Sequence, residues 1–162
     1  MKTGLFYGST LGAAKGVAEL IAKEIEVDIY EVSNGIDDVS KYDALILGTN
    51  TWGYGELQDD WQGVIDAFKE FDFTGKKVAI YSTGDQESYS DTFVDAIGIL
   101  AEVVEKNGGV IVGYTSCDGY NFSESKALRD GEFIGLAIDD NNQSNLTDER
   151  VKKWVEKLKG EF

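Results

Sequence analysis

Two short loops carry the residue types best suited to holding a flat ligand. Thr51-Trp52-Gly53-Tyr54-Gly55-Glu56 directly follows the apolar run Ala44-Leu45-Ile46-Leu47, and Thr83-Gly84-Asp85-Gln86-Glu87-Ser88-Tyr89 directly follows Val78-Ala79-Ile80-Tyr81. Each ends a segment that reads as a buried strand and offers a large aromatic among small and acidic residues, a setting for an electron-rich ring held between two side-chain rings. The pairing suggests a flavin. A third segment, Gly8-Ser9-Thr10-Leu11-Gly12-Ala13-Ala14, separates a strand-like run from a helical one. A glycine-bearing turn feeding a helix N-terminus aims backbone N–H groups and hydroxyls at one spot, which makes an anion site. It is neither a Walker loop nor Gly-x-Gly-x-x-Gly, and taken alone an ordinary tight turn explains it equally well.

The elements that must position these loops follow from hydrophobic period. Strand-like runs alternate with helical ones, without repeats or low-complexity tracts, as expected for a wound α/β domain. Strands are expected at Thr3 to Tyr7, Val27 to Val32, Asp43 to Gly48 and Lys77 to Ser82. The last two are continuous Val/Ile/Leu-rich runs, the pattern of parallel strands buried on both faces. Helices are expected from Ala13 to Ile25, Asp60 to Phe71 and Asp91 to Lys106, with Trp61 on an inner face beside Val64, Ile65 and Phe68. Val110 to Thr115 starts a fifth strand, the polar stretch Ser116 to Glu132 interrupts it, and Phe133 to Ile138 resumes it. A final helix is expected from an N-cap at Thr147. In a doubly wound sheet the carboxyl ends of strands one, three and four meet at the switch in strand order, so all three loops would converge there.

Composition narrows the chemistry. A length of 162 residues fits one domain, 1–162, with a full core. With no histidine and Cys117 alone, the usual metal ligands and acid-base catalysts are missing, and hydrolytic and metal chemistry drop in rank. No apolar stretch approaches a membrane span, so a cytoplasmic protein without membrane insertion is expected. The net charge of -15 repels nucleic acid and favours a basic protein partner, although solubility alone would also explain it.

The chain resembles the long-chain flavodoxins from Gly4 to Phe162. The resemblance is carried by Phe6-Tyr7-Gly8-Ser9, by Thr51-Trp52-Gly53-Tyr54-Gly55-Glu56-Leu57-Gln58, by Gly84-Asp85-Gln86 with Tyr89, and by Glu124-Ser125-Lys126-Ala127 followed by Phe133-Ile134-Gly135-Leu136-Ala137. It implies a three-layer, five-stranded parallel sheet of order 2-1-3-4-5 with an insertion in the fifth strand, and FMN as cofactor. It also implies one-electron shuttling through semiquinone and hydroquinone states, without a catalysed reaction of its own. By the same resemblance FMN would meet Ser9, Thr10, Leu11, Gly12, Ala13 and Ala14 at its phosphate. Asn50, Thr51, Trp52, Gly53, Tyr54 and Gly55 would meet it in the second loop, and Thr83, Gly84, Asp85, Tyr89 and Asp91 in the third. Trp52 and Tyr89 match the family's stacking positions, each ring adding about 0.5–1.5 kcal/mol beyond area burial. Gly53 matches the peptide that rotates on reduction, a movement that glycine makes easy.

Two features are particular to this sequence. Leu11 and Ala14 replace hydroxyl residues of the family's phosphate loop; each hydrogen bond to a charged phosphate is worth about 1.5–3 kcal/mol, so the anchor is expected to weaken unless other groups substitute. Glu56, Asp59, Asp60, Asp85, Glu87 and Asp91 surround the loops, and no lysine or arginine occurs from Tyr42 to Phe68 or from Val78 to Glu105. At about 12 Å and intermediate dielectric each carboxylate opposes an added electron by roughly 0.5 kcal/mol, so the group lowers the more negative potential by the order of 100 mV. The expected partners are basic-surfaced redox proteins, such as a ferredoxin-NADP reductase or another enzyme using ferredoxin, met by a monomeric carrier. A flavodoxin-like NAD(P)H-quinone reductase is the alternative; the acidic rim, short loops and missing histidine count against it. A receiver domain is excluded, because Tyr7-Gly8 and Gly48-Thr49 lack its carboxylates.

Overall fold

The computed structural model describes residues 2–52 and 54–162, with Trp52 described by its backbone alone. The chain runs β1 (Thr3–Tyr7), α1 (Ala13–Glu24), β2 (Asp28–Glu31), β3 (Ala44–Trp52), β4 (Glu56–Leu57), α2 (Asp59–Phe68), β5 (Lys77–Thr83) and α3 (Asp95–Lys106). It continues through β6 (Val110–Val112), β7 (Thr115–Ser116), β8 (Leu128–Arg129), β9 (Glu132–Phe133), β10 (Leu136–Ile138), α4 (Asp140–Gln143) and α5 (Thr147–Glu161).

The central sheet has the order β2-β1-β3-β5, and the far edge is shared by β6 and β10, both parallel to β5. Val110 to Val112 pair with Lys77 to Ala79, and Leu136 to Ile138 pair with Tyr81 to Thr83. The expected order 2-1-3-4-5 and the interrupted fifth strand are therefore present. Successive side chains of each central strand enter opposite cores, which is why these strands read as unbroken apolar runs. Phe6, Leu45, Leu47, Val78 and Ile80 pack beneath α2 and α3; Leu5, Tyr7, Ile46, Ala79 and Tyr81 pack beneath α1 and α5. These are the three layers. Trp61 is fully buried, as its helical face implies, and its Nε1 donates to the Gly48 carbonyl at 2.9 Å.

Several boundaries differ from expectation. Ile25 is extended, so α1 stops at Glu24, and α2 stops at Phe68. α3 starts at Asp95, not Asp91, because Val94 before it has φ 49°, which breaks helical geometry. Thr147 is the first residue of α5 and not its N-cap; its hydroxyl donates to Asp140 Oδ1 instead. The insertion is wider than 116–132. Thr115 and Phe133 leave the main sheet to pair with each other in a three-stranded antiparallel sheet, β7-β9-β8.

The insertion lies tightly on α3. A Cβ added at Gly98 would sit 2.3 Å from the Lys126 carbonyl oxygen, whereas one added at Gly16 of α1 meets nothing within 4 Å. Replacing an exposed helical glycine by alanine ordinarily stabilises by up to about 1 kcal/mol. Gly16→Ala is expected to raise the urea midpoint and Gly98→Ala to lower it; equal increases would show that the insertion yields freely at this contact.

Candidate functional site

β3 outruns its neighbours. Its carboxyl end places Thr49 and Asn50 beyond the apolar ladder yet buried, and such groups must find internal partners. Asn50 Oδ1 accepts from the Thr10 N–H at 3.1 Å, while Asn50 Nδ2 donates to Thr83 Oγ1. One carboxamide thus joins the ends of β1, β3 and β5. The Gly8 N–H donates to the Gly48 carbonyl at 3.0 Å, continuing the β1 ladder into the loop. Thr51 and Ser82 hydroxyls lie 2.9 Å apart, and Thr51 Oγ1 also accepts from the Ala96 N–H in the first turn of α3 (3.1 Å).

The loop from Ser9 to Ala14 then reverses into α1. Leu11 has φ 60° and Gly12 φ 83°, which turn the chain so that α1 begins at Ala13. Ser9 Oγ accepts from the Lys15 N–H at 3.2 Å. Among the described residues the N–H groups of Leu11, Gly12, Ala13 and Ala14 donate to no protein acceptor. The first turn of any helix leaves such donors, and with the helix dipole they favour an anion. Leu11 is 94% exposed, so its side chain fills no part of this cradle. Ala14 is fully buried against the core, and its carbonyl accepts from the Tyr81 hydroxyl at 2.9 Å; a threonine there would have to enter that packing.

The third loop is shaped by its own carboxylate. Asp85 Oδ1 accepts from the N–H groups of Glu87 (3.1 Å) and Ser88 (2.9 Å), and the Tyr89 N–H donates to the Asp85 carbonyl at 3.0 Å. Tyr89 stands 44% exposed. Burial raises the Asp85 carboxyl, but hydrogen bonds from Ser88, Asn142 and Glu87 together outweigh it and hold it below the usual carboxylate range. Nearby Asp95 moves the other way: burial raises its carboxyl against the opposing Lys126 N–H bond at 2.7 Å.

The structure therefore brings together Thr10, Asn50, Thr51 and Thr83 by direct bonds or through Ser82, with Ser9, Leu11, Gly12, Ala13 and Ala14 in the same turn. Gly84 joins the sheet end by donating to the Ile138 carbonyl at 2.9 Å. Gly55 is buried with φ 89°, whereas Tyr54 is 87% exposed. Asp91 lies in an exposed turn short of α3, and among the described residues no hydrogen bond joins it or Tyr54 to the other site residues. The Trp52 side chain and Gly53 lie outside the described residues, as do the stacking and peptide rotation expected of them.

Sequence reasoning gave no role to Gln58. It is buried, its Oε1 caps α2 by accepting from the Asp60 and Trp61 N–H groups, and its Nε2 donates to Thr10 Oγ1 at 3.1 Å. Its place just before Asp59-Asp60 at a helix start was the available signal. Cys117 is half-buried, and burial pushes its thiol up. Among the described residues no group of acidic, histidine or cysteine side chains is arranged for a metal, and no helix is long and apolar enough to cross a membrane.

Known proteins share this sequence pattern and fold. A family model described as Flavodoxin matches residues 5–154. The chain belongs to the flavodoxin family. A flavodoxin of a Nostoc species is 51% identical over 165 positions, covering 99% of this chain and 97% of that protein, and Flavodoxin 1 of Escherichia coli is 42% identical, covering 99% and 94%. The crystal structure of Fusobacterium nucleatum flavodoxin bound to flavin mononucleotide superposes with a TM-score of 0.95 at 37% identity, covering 100% of this chain and 99% of that one.

The shifted Asp85 carboxyl makes a pH test of this flavodoxin loop. A carboxyl titrating lower in the folded state than in the unfolded chain stabilises the fold above about pH 4, and that contribution is lost as pH falls through the folded value. Asp85→Asn is expected to unfold at lower urea than the parent at pH 7, with the gap closing on acidification below pH 4. A gap independent of pH would show that the Asp85 bonds do not favour its ionised form.

Proposed function

We propose that this chain, as a single domain spanning residues 1–162, is an FMN-containing carrier that passes single electrons between redox proteins and catalyses no reaction of its own. The carrying observation is the set of unsatisfied N–H groups from Leu11 to Ala14, fixed through Asn50 to the two aromatic loops. The flavin phosphate suits that turn: the N–H groups and the α1 dipole supply what the missing hydroxyls at Leu11 and Ala14 do not, and Ser9 and Thr10 remain beside it. FMN supplies the capacity to take up and release electrons one at a time.

The protein's part is to bind, orient and bias. Trp52 and Tyr89, by their family positions, enclose the ring, and Gly53 and Gly55 let the 50s loop run close to it. Thr51, Thr83, Gly84, Asp85, Tyr54 and Asp91 complete the proposed lining. The carboxylates of Glu56, Asp59, Asp60, Glu87 and Asp91 oppose added negative charge and lower the reduction potential. The same rim suits a basic-surfaced partner such as a ferredoxin-NADP reductase, met rapidly and in a salt-sensitive manner in the cytoplasm by a monomeric carrier.

Titration of apoprotein with FMN is expected to give one tight equivalent, with FAD and riboflavin weaker because the cradle fits a terminal phosphate. A spectroscopic redox titration of the loaded protein should resolve two one-electron steps, the second at low potential. A single two-electron transition would replace this reading with the quinone reductase.

A further inference from the structure

The turn carrying Tyr89 is held from outside its own loop. Asp139, the residue after β10, is 0% exposed and accepts five N–H bonds. Its Oδ2 accepts from the Gln86 N–H (3.0 Å), Gln86 Nε2 (2.8 Å) and Asn142 Nδ2 (2.8 Å). Its Oδ1 accepts from the N–H groups of Asn141 (3.1 Å) and Asn142 (3.0 Å). All five partners are N–H donors, the set that a carboxylate accepts. The Gln86 amide is oriented independently, because its Oε1 accepts from the Asn121 N–H of the insertion at 2.6 Å. Asn142 Nδ2 reaches a second carboxylate, Asp85 Oδ1, at 2.9 Å.

Asp139 therefore grips the residue on either side of the Asp85-Gln86 peptide: Gln86 directly and Asp85 through Asn142. That peptide opens the turn closed by the Tyr89 N–H. Among the described residues no lysine or arginine forms an ion pair with Asp139. Its charge is held by N–H dipoles and not by an ion pair: Arg150, 3.9 Å over the Tyr120 ring, donates to Gln143 instead, and burial of Asp139 shields its field from salt. Exposed Glu87, in the same loop, is screened by salt.

We propose that Asp139 is a positioning residue for the redox site: it fixes the turn carrying Tyr89 and supplies a salt-insensitive part of the field that lowers the second reduction potential. The proposal rests on the FMN-carrier reading. Asp139 acts on the ring through Gln86, Asn142 and its field, not by contact.

The test compares Asp139→Asn, Asn142→Ala and Glu87→Gln with the parent. In apoprotein, amide exchange at Gln86 and Tyr89 is expected to lose about tenfold or more of its protection in Asp139→Asn, the equivalent of one hydrogen bond to a charged group, while global stability changes less. In FMN-loaded protein, Asp139→Asn should raise the second potential by an amount that persists from low to high salt, and the Glu87→Gln shift should shrink with salt. Asn142→Ala keeps the charge and loses the bridge, so it should lose protection at the turn with a smaller shift in potential; it also serves if Asp139→Asn does not fold. Unchanged protection at the turn, or an Asp139→Asn shift that fades with salt as Glu87→Gln does, would overturn the proposal. Parent apoprotein that took up no FMN would instead defeat the carrier reading.

Discussion

Polar side chains buried beyond the end of an apolar strand must be satisfied inside the fold, because each unmade hydrogen bond there costs about 1–3 kcal/mol. At the end of β3 this constraint organises the site. Asn50 spends its carbonyl on the Thr10 N–H and its amide on Thr83, so the loops after β1 and β5 cannot move independently of the central strand. Gln58 repeats the device one layer out, capping α2 with one end and holding Thr10 with the other. What results is a turn whose free N–H groups are left to face a ligand because its other polar groups are already engaged.

The charge distribution works on top of this scaffold. Acidic residues outnumber basic ones by 30 to 15, and the cations are absent from the segments that form the second and third loops. Described ion pairs sit elsewhere: three on α5, Arg129 with Glu105 joining the insertion to α3, Lys2 with Asp28, and Lys41 with Asp38. Under the proposed function, a turn that favours anions through a helix dipole holds the phosphate, and the carboxylates around the rim oppose reduction at the ring. The two electrostatic demands are opposite, and one ligand spans both.

Much of the architecture was legible in sequence. The central strands declared themselves through unbroken apolar runs, and Trp61 through its helical spacing; the strand order came from the resemblance to flavodoxins. What stayed hidden has physical causes. Val94 carries a helix-compatible side chain, and only its positive φ delays α3 to Asp95. The insertion's strands are two residues long, too short for any period to show. Thr147 has the composition of a cap, but its hydroxyl is drawn to Asp140. Gln58, Gln86 and Asp139 act across long sequence separations, and a single chain read in order gives no sign of which distant amide a buried carboxylate will hold. Ala14 looked like a lost phosphate ligand, whereas its side chain belongs to the core and its N–H has no protein acceptor among the described residues.

If the Asn50 carboxamide is what holds the site together, its removal should cost binding out of proportion to fold stability. The decisive measurement is the FMN dissociation constant of Asn50→Ala apoprotein beside its urea unfolding curve. Binding is expected to weaken by about tenfold or more, the equivalent of two ordinary hydrogen bonds, with the protein still folded. An unchanged dissociation constant would contradict it, since the phosphate turn and the aromatic loops would then be aligned without their shared anchor.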